Sequence, residues 1–156
     1  MTVVIAYDGS DHARRAVERA GPLLRPGPAV VVCAWLPLAL AAPAATLGVS
    51  PAVALAGAEG LDAQARERAE QIASEGADLA RAAGLDAEAR AVEGGGPAWH
   101  AIVRFADSVD ASVIVTGSRG RSGIAAALLG STALGVLHHA DRPVLVASTI
   151  GREGGT

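Results

Sequence analysis

The sequence is poor in aromatic residues, in cysteine and in concentrated positive charge. Aromatic residues make up 3% of the 156 residues, and Cys33 is the single cysteine. One cysteine excludes an intrachain disulfide and a cysteine-based zinc site, and the few aromatic rings cannot form a stacking platform for single-stranded nucleic acid. The net charge is −3 and the arginines are scattered along the chain, which argues against nucleic acid as the main partner.

The chain also lacks the patterns that mark export or membrane insertion. Its first residues, MTVVIAYD, contain no basic segment and reach an acidic residue at Asp8, unlike a signal peptide. Residues 27–58 carry no charge, but four prolines and an alanine-rich composition argue against a membrane-spanning helix there. We therefore expect a cytoplasmic globular protein.

What the sequence does contain is an alternation of apolar strand-like runs with amphipathic, alanine-rich segments. This alternation predicts an α/β fold, with a five-stranded parallel sheet and helices on both faces, in a single domain over residues 1–149. The predicted strands are 3–7, 29–35, 87–92, 111–116 and 144–147, and the predicted helices lie near 10–24, 61–83, 97–106 and 131–139. Residues 36–60 are expected to form a long Pro/Ala loop, and residues 150–156 a flexible tail.

The most informative segment is residues 113–132, which read VIVTGSRGRSGIAAALLGST. A β-branched run leads into a glycine loop, and the loop leads into an Ala/Leu helix. The G-x₂-G-x₉-G-S spacing is formed by Gly117, Gly120, Gly130 and Ser131. Glycine lets the backbone approach an anion, and the N–H groups at a helix start favour negative charge. The segment therefore predicts a phosphate-binding site.

Three segments follow the ends of predicted strands: Asp8, the pair Ala34-Trp35, and Gly117. In parallel sheets the carboxyl ends of the strands border one crevice, so we expect these segments to lie along the same edge. Two of these residues have a purely structural alternative, because Asp8 before Gly9 is also a typical turn residue and Trp35 is either a base-stacking residue or part of the core.

Taken together, five stretches resemble a universal stress protein of the ATP-binding kind. They are VVIAYDGS near the start, EGGGPA at residues 93–98, ASVIVTGSRG, the glycine spacing, and RPVLVA near the end. The resemblance covers nearly the whole chain in order, with residues 36–60 the least similar part. It implies the adenine nucleotide alpha-hydrolase-like fold with strand order 3-2-1-4-5. It also implies ATP, or ADP or AMP, in the crevice, and a homodimer formed by pairing Val144–Ala147 with its copy.

The resemblance also implies roles for individual residues. Asp8 would contact the ribose or a Mg²⁺ ion on the phosphates, Ala6 and Tyr7 would line the nucleotide pocket, and the backbone of Ala34 would contact adenine. The phosphate side would consist of Thr116, Gly117, Arg119, Gly120, Gly130, Ser131 and Thr132. The structural alternatives are that Ser131 and Thr132 only cap the helix and that Arg119 is a solvated loop charge. No catalytic residue is implied.

Different classes of function remain open at this point. One is a nucleotide-dependent regulatory module of the stress response, with at most slow ATP hydrolysis. Another is an enzyme on the same fold, such as an ATP pyrophosphatase or a nucleotidyl transferase, and a third is an electron-transfer flavoprotein-like subunit. The glycine loop has no lysine, the first strand is not followed by an S-G-G-x-D-S loop, and nothing marks a flavin site. These features favour the regulatory module.

Overall fold

A computed structural model describes residues 1–37, 51–119 and 129–148, with only the backbone described for 51–56. Strands and helices alternate along the chain, as the sequence predicts. The strands are β1 (Thr2–Ala6), β2 (Pro28–Trp35), β3 (Asp86–Glu93), β4 (Ala111–Gly117) and β5 (Val144–Ala147). The helices are α1 (Asp11–Ala20), α2 (Pro51–Ala82), α3 (Ala98–Ser108) and α4 (Ser131–His139), and a 3-10 turn at Gly21–Leu23 follows α1.

The five strands form one parallel sheet in the order β3-β2-β1-β4-β5, which confirms the predicted fold class and strand order. In the central strand β1, Val4 lies opposite Val30 on one side and Ile114 on the other. The chain moves from β1 outward to β2 and β3, then crosses to β4 on the other side of β1. The strand order therefore reverses between β1 and β4, where parallel sheets typically open a ligand crevice.

The two faces of the sheet pack against different helices. Successive strand residues point to opposite faces, so neighbours in β1 belong to different halves of the core. Ile5 packs in a cluster with residues of α1 and α2, whereas Val4 packs with residues of α3 and α4. Val and Ile residues fill the interiors of β1, β2 and β4, and most of them are almost fully buried, as expected for strands that are covered on both sides.

The structure differs from the sequence prediction at the start of α2. This helix begins at Pro51 and not near residue 61, so the part of the predicted loop at residues 51–60 is helical. The prediction was wrong because Gly57 and Gly60 suggest a loop, although a glycine inside a helix costs only about 1 kcal/mol. Proline suits the first helical position, which Pro51 occupies, because the N–H that proline lacks would have no acceptor within the helix there. Residues 38–50 of the predicted loop and the predicted tail at 150–156 lie outside the described residues.

Helix ends elsewhere are close to their predicted positions. Gly84 follows α2 with a φ of +94°, the left-handed conformation that commonly ends a helix. The first helix is shorter than predicted: α1 stops at Ala20 and the chain continues as the 3-10 turn that contains Pro22. Across the three described ranges, no helix is long and apolar enough to cross a membrane.

Candidate functional site

A cavity of about 310 Å³ opens at the carboxyl ends of β1, β2 and β4. It is bordered by these strand ends, by the residues that follow β4, and by the first turns of α3 and α4. Every predicted site residue that the structure describes lines it: Ala6, Tyr7, Asp8, Ala34, Thr116, Gly117, Arg119, Gly130, Ser131 and Thr132. The remaining predicted site residue, Gly120, lies outside the described residues.

One side of the cavity is apolar. Ala6, Val32 and Ala34 contribute from the ends of β1 and β2, and Ala98 and Ile102 contribute from the start of α3. Sequence reasoning missed the two α3 residues as part of the site, because Ile102 fits the buried face of an amphipathic helix equally well. The EGGGPA segment at residues 93–98 could have indicated these two residues, because it places the start of a helix directly after the carboxyl end of β3. The lining residues absent from the sequence prediction are Val32, Cys33, Ala98, Ile102 and Ala133.

The opposite side of the cavity is the start of α4. The N-cap position is Gly130, with φ −62° and ψ 155°, and it has no side chain to cap the helix. Ser131 and Thr132 are the first two helical residues, so the alternative in which one of them occupies the N-cap position is wrong. The first α-helical bond runs from the N–H of Leu134 to the carbonyl of Gly130 at 2.9 Å. The preceding N–H groups of the first turn have no acceptor within the helix and point out of its end.

Backbone hydrogen bonds fix this helix start against the end of β4. The N–H of Gly130 donates to the carbonyl of Ser118 at 2.8 Å, and the N–H of Ser118 donates to the carbonyl of Ala147 in β5 at 3.0 Å. A Cβ atom on Gly117 would lie 3.3 Å from the carbonyl oxygen of His12. The close approach of α1 therefore favours glycine at position 117, and the hydrogen bonds hold the start of α4 in fixed register with the sheet.

Asp8 combines a structural contact with a place in the cavity. Its Oδ1 accepts a hydrogen bond from the N–H of Ser10 at 3.0 Å, and Gly9 between them has a φ of +78°. Ser10 then caps α1, because its Oγ accepts from the N–H of Ala13 at 3.1 Å. The turn role considered from the sequence is therefore present, and the same residue also lines the cavity.

Tyr7 borders the cavity, but its ring packs on the α1 and α2 face of the sheet. The phenol donates to Oε1 of Glu75 at 2.9 Å, and Nη2 of Arg14 lies 2.5 Å from the same oxygen. Burial, followed by the hydrogen bond and negative charge of Glu75, raises the pKa of Tyr7 to about 12. The hydrogen bond to Glu75 therefore attaches α2 to the end of β1. The backbone N–H of Tyr7 also donates to the carbonyl of Val32 at 2.9 Å.

Trp35 is not among the residues that line this cavity. It packs against the core on the α2 side and borders a separate groove with Arg66 and Glu70 of that helix. The structure thus favours the core role over the base-stacking role considered from the sequence.

The cavity contains few charged groups. Asp8 is the only carboxylate and Arg119 the only cation among the described residues that line it. Within the described part of the chain, no three His, Cys, Asp or Glu residues are grouped so that they could hold a metal ion. A divalent cation at this place would therefore need most of its ligands from a bound phosphate group and from water, with Asp8 as the nearby protein carboxylate.

The strand order and the helices on both faces of the sheet give this chain the adenine nucleotide alpha-hydrolase-like fold. The model of the universal stress protein family matches residues 1–148. This chain belongs to the universal stress protein family. No curated protein sequence matches it significantly.

Comparison with solved structures agrees with this assignment. The hypothetical protein MJ0577 superposes with a TM-score of 0.77 at 18% identity over 96% of both chains, which supports the fold alone. A universal stress protein in complex with cAMP is 32% identical, covering 94% of this chain and 96% of that one, with a TM-score of 0.61. A universal stress protein from Archaeoglobus fulgidus in complex with dAMP is 26% identical, covering 94% and 96%, with a TM-score of 0.58.

Proposed function

We propose that this chain binds an adenine nucleotide, with ATP as the expected ligand, and acts as a nucleotide-dependent regulatory module. The observation that carries the proposal is the meeting of an apolar surface and an uncapped helix start across one cavity of about 310 Å³. A nucleotide has the matching division into an apolar base and an anionic end. The relatives solved with cAMP and dAMP support the adenine class of ligand.

The apolar side is suited to the base. Val32, Ala34 and Ile102 contribute aliphatic side chains to the cavity wall, and Ala98 adds a small one. The main chain at the end of β2 offers N–H and carbonyl groups to the edge of a ring. Asp8, where β1 turns into α1, is placed to accept a hydrogen bond from a ribose hydroxyl or to bind Mg²⁺ that is held on the phosphates.

The start of α4 is suited to the phosphates. The N–H groups of Ser131, Thr132 and Ala133 belong to the first turn, and the helix dipole places about half a positive charge there. Their side of the cavity also includes Arg119 and the glycine Gly117. The expectation of ATP in preference to a monophosphate rests on the glycine spacing and on the resemblance to ATP-binding members.

Efficient hydrolysis is not expected from these residues. The chain has 13 basic residues of the Lys and Arg types and every one is an arginine, so no lysine neutralises charge on a γ-phosphate. The described lining residues include no histidine or lysine, and Asp8 is their one carboxylate. We therefore expect turnover far below the roughly 10 s⁻¹ of a median enzyme.

The proposal is tested by identifying the nucleotide that the protein carries and prefers. The purified protein is extracted, the extract is analysed by mass spectrometry, and ATP, ADP, AMP and cAMP are then titrated into nucleotide-free protein by calorimetry. We expect a saturable site for an adenine nucleotide with ATP bound most tightly. Absence of binding by all four would contradict the proposal, and turnover near 10 s⁻¹ would favour the enzyme alternative.

A further inference from the structure

Trp99, in the first turn of α3, packs directly on α4. Its indole stacks on the imidazole of His139, with ring centroids 4.0 Å apart and an interplanar angle of 16°. A Cβ atom built on Gly135 would lie 2.2 Å from Cγ of Trp99. The indole therefore occupies space that any side chain at position 135 would fill.

His139 is held by a hydrogen bond to the backbone of Gly135 in the same helix. Its Nδ1 lies 2.8 Å from the carbonyl oxygen of Gly135 and donates a hydrogen bond to it. Gly135 and His139 are one helical turn apart on the same face of α4, so together they form a shallow site for one aromatic ring. Trp99 fills that site from α3.

This contact lies just behind the two helix starts that border the cavity. Ala98, directly before Trp99, lines the cavity, and Ser131, one turn before Gly135, lines it from the other side. The N-cap residues of α3 and α4 are Pro97 and Gly130, and neither makes a capping hydrogen bond through a side chain. Backbone hydrogen bonds hold the start of α4 at the end of β4, so the packing of α3 on α4 sets how far the start of α3 lies from it.

We propose that Trp99 is a positioning residue for nucleotide binding, which acts by setting the distance between the base side on α3 and the phosphate side on α4. The inference rests on the proposed function of the cavity. Trp99 is not among the residues that line the cavity. A nucleotide has a fixed separation between base and phosphate, so a small shift of one helix start removes contacts at one end of the ligand.

The glycine and the indole form a pair that can be tested by a double-mutant cycle. Gly135→Ala places a methyl group where the indole lies, so we expect the ring to be displaced and ATP binding to weaken at least about tenfold. Trp99→Ala should weaken binding similarly. In the double variant the indole is absent and only the Cβ atom of residue 99 remains, 2.8 Å from the new methyl group, so Gly135→Ala should weaken binding less in the Trp99→Ala background than in the unmodified protein.

Affinity and stability are measured separately to distinguish positioning from general packing. Phe105→Leu, farther along α3 in the same cluster and away from the cavity, should lower the melting temperature and leave the affinity of the folded protein unchanged. Trp99→Phe keeps a ring on Gly135 and should recover most of the affinity lost in Trp99→Ala. If Gly135→Ala and Trp99→Ala bind ATP as tightly as the unmodified protein, the positioning role is wrong.

A spectroscopic measurement reports the same contact directly. The chain has two tryptophans, so in the Trp35→Phe background Trp99 is the only tryptophan and can be excited selectively beyond the absorption of Tyr7. We expect ATP to change the Trp99 emission with the same midpoint as the calorimetric titration. Calorimetric binding without any change in emission would overturn the inference alone, whereas failure of the unmodified protein to bind any adenine nucleotide would overturn the proposed function itself.

Discussion

Arg142 connects three parts of the fold through one half-buried guanidinium group. Its Nη1 donates to the carbonyls of Ala106 at 3.1 Å and Ala111 at 2.6 Å, and its Nη2 lies 2.7 Å from Asp107. The side chain is 13% exposed. These bonds join the end of α3 to the start of β4, just before β5 begins.

We expect Arg142→Ala to lower the free energy of unfolding by about 2 kcal/mol, because it removes charge-assisted bonds and leaves two carbonyls without this donor. Arg142→Lys should recover less than half of that loss, since an ammonium cannot reproduce the forked geometry. Urea denaturation measures both. The matched control is Arg90→Ala, whose ion pair with Glu88 is more than half exposed and should contribute less than about 0.5 kcal/mol.

Tyr7 gives a second residue-scale prediction, because it is the only tyrosine in the chain. Its pKa is raised to about 12 in the folded protein, above the value near 10 of an unfolded chain. Between these values the unfolded chain releases a proton that the folded protein retains, so stability falls as pH rises from about 10 to about 12. Below pH 10 the contribution of Tyr7 to the free energy of unfolding is fully present.

The ultraviolet absorbance of the phenolate reports this titration directly. We expect a midpoint near 12 for the folded protein. We expect one near 10 in denaturant. Glu75→Gln should lower the folded midpoint, because the negative charge of Glu75 disfavours the phenolate. A folded midpoint equal to the denatured one would contradict the buried hydrogen bond between Tyr7 and Glu75.

For individual residues, the sequence predicted the positions of the site residues more accurately than the contacts of their side chains. Asp8, Gly117 and Gly130 could be placed together because each follows or precedes an element whose end meets the same sheet edge. The direction of the Tyr7 ring depends on Glu75, which is 68 residues away in sequence. The sequence alone carries no signal for that pairing. The same holds for Ile102, whose periodicity fits a core position and a cavity wall equally.

At the scale of elements, Gly76 allows α2 to approach the sheet closely. A Cβ atom on Gly76 would lie 2.7 Å from the Tyr7 ring and 2.8 Å from Cγ1 of Val31. Both neighbours are buried, so the helix would have to move away from the sheet. The intrinsic helix preference of alanine over glycine works in the opposite direction.

We expect Gly76→Ala to destabilise the protein by about 1–3 kcal/mol, because overpacking exceeds the gain of about 1 kcal/mol in helix propensity. Gly60→Ala is the matched control in the same helix, since nothing lies within 4 Å of its Cβ position. That change should stabilise the protein by about 0.5–1 kcal/mol. Equal effects of the two substitutions in thermal unfolding would argue against the close packing of α2 on Tyr7.

The order and type of the elements could be predicted from the sequence, because each buried strand is a β-branched run and each helix has an apolar face. The start of α2 could not be predicted in this way. Helix propensity is a weak local preference, and the alanine-rich residues 51–60 contain two glycines that indicate a loop in isolation. The following turns of α2, which pack on β2 and β3, are part of the same helix, and no local pattern before residue 61 reports that packing.

At the scale of the whole molecule, β5 is an edge strand of the sheet. Its residues Val144–Ala147 are all half-buried in the single chain. An edge of this kind presents backbone groups and apolar side chains that suit pairing with a second copy, and a two-fold axis closes such a pair without forming a filament. We therefore propose a homodimer that pairs β5 with β5.

We expect light scattering to give twice the chain mass, and Val146→Lys to give a monomer. Val146 is the suitable position because it belongs to neither core cluster, whereas Leu145 packs against the core and its replacement would also disturb the monomer. Glu88→Lys at the opposite sheet edge should leave the dimer intact. An unmodified protein that is monomeric at high concentration would contradict the proposed β5 interface.

We propose that the cavity beside α4 binds the phosphates of an adenine nucleotide, and the Gly130→Val variant is the sharpest test of this binding. The backbone at position 130, with φ −62° and ψ 155°, is one that valine adopts without strain, so the fold should be preserved. Gly95→Val is the control, because Gly95 has open space around it and does not line the cavity.

Calorimetry with ATP is the decisive measurement. We predict that Gly130→Val weakens binding more than about tenfold, or about 1.4 kcal/mol, while Gly95→Val binds like the unmodified protein. A folded Gly130→Val variant with unchanged affinity for ATP would contradict the account.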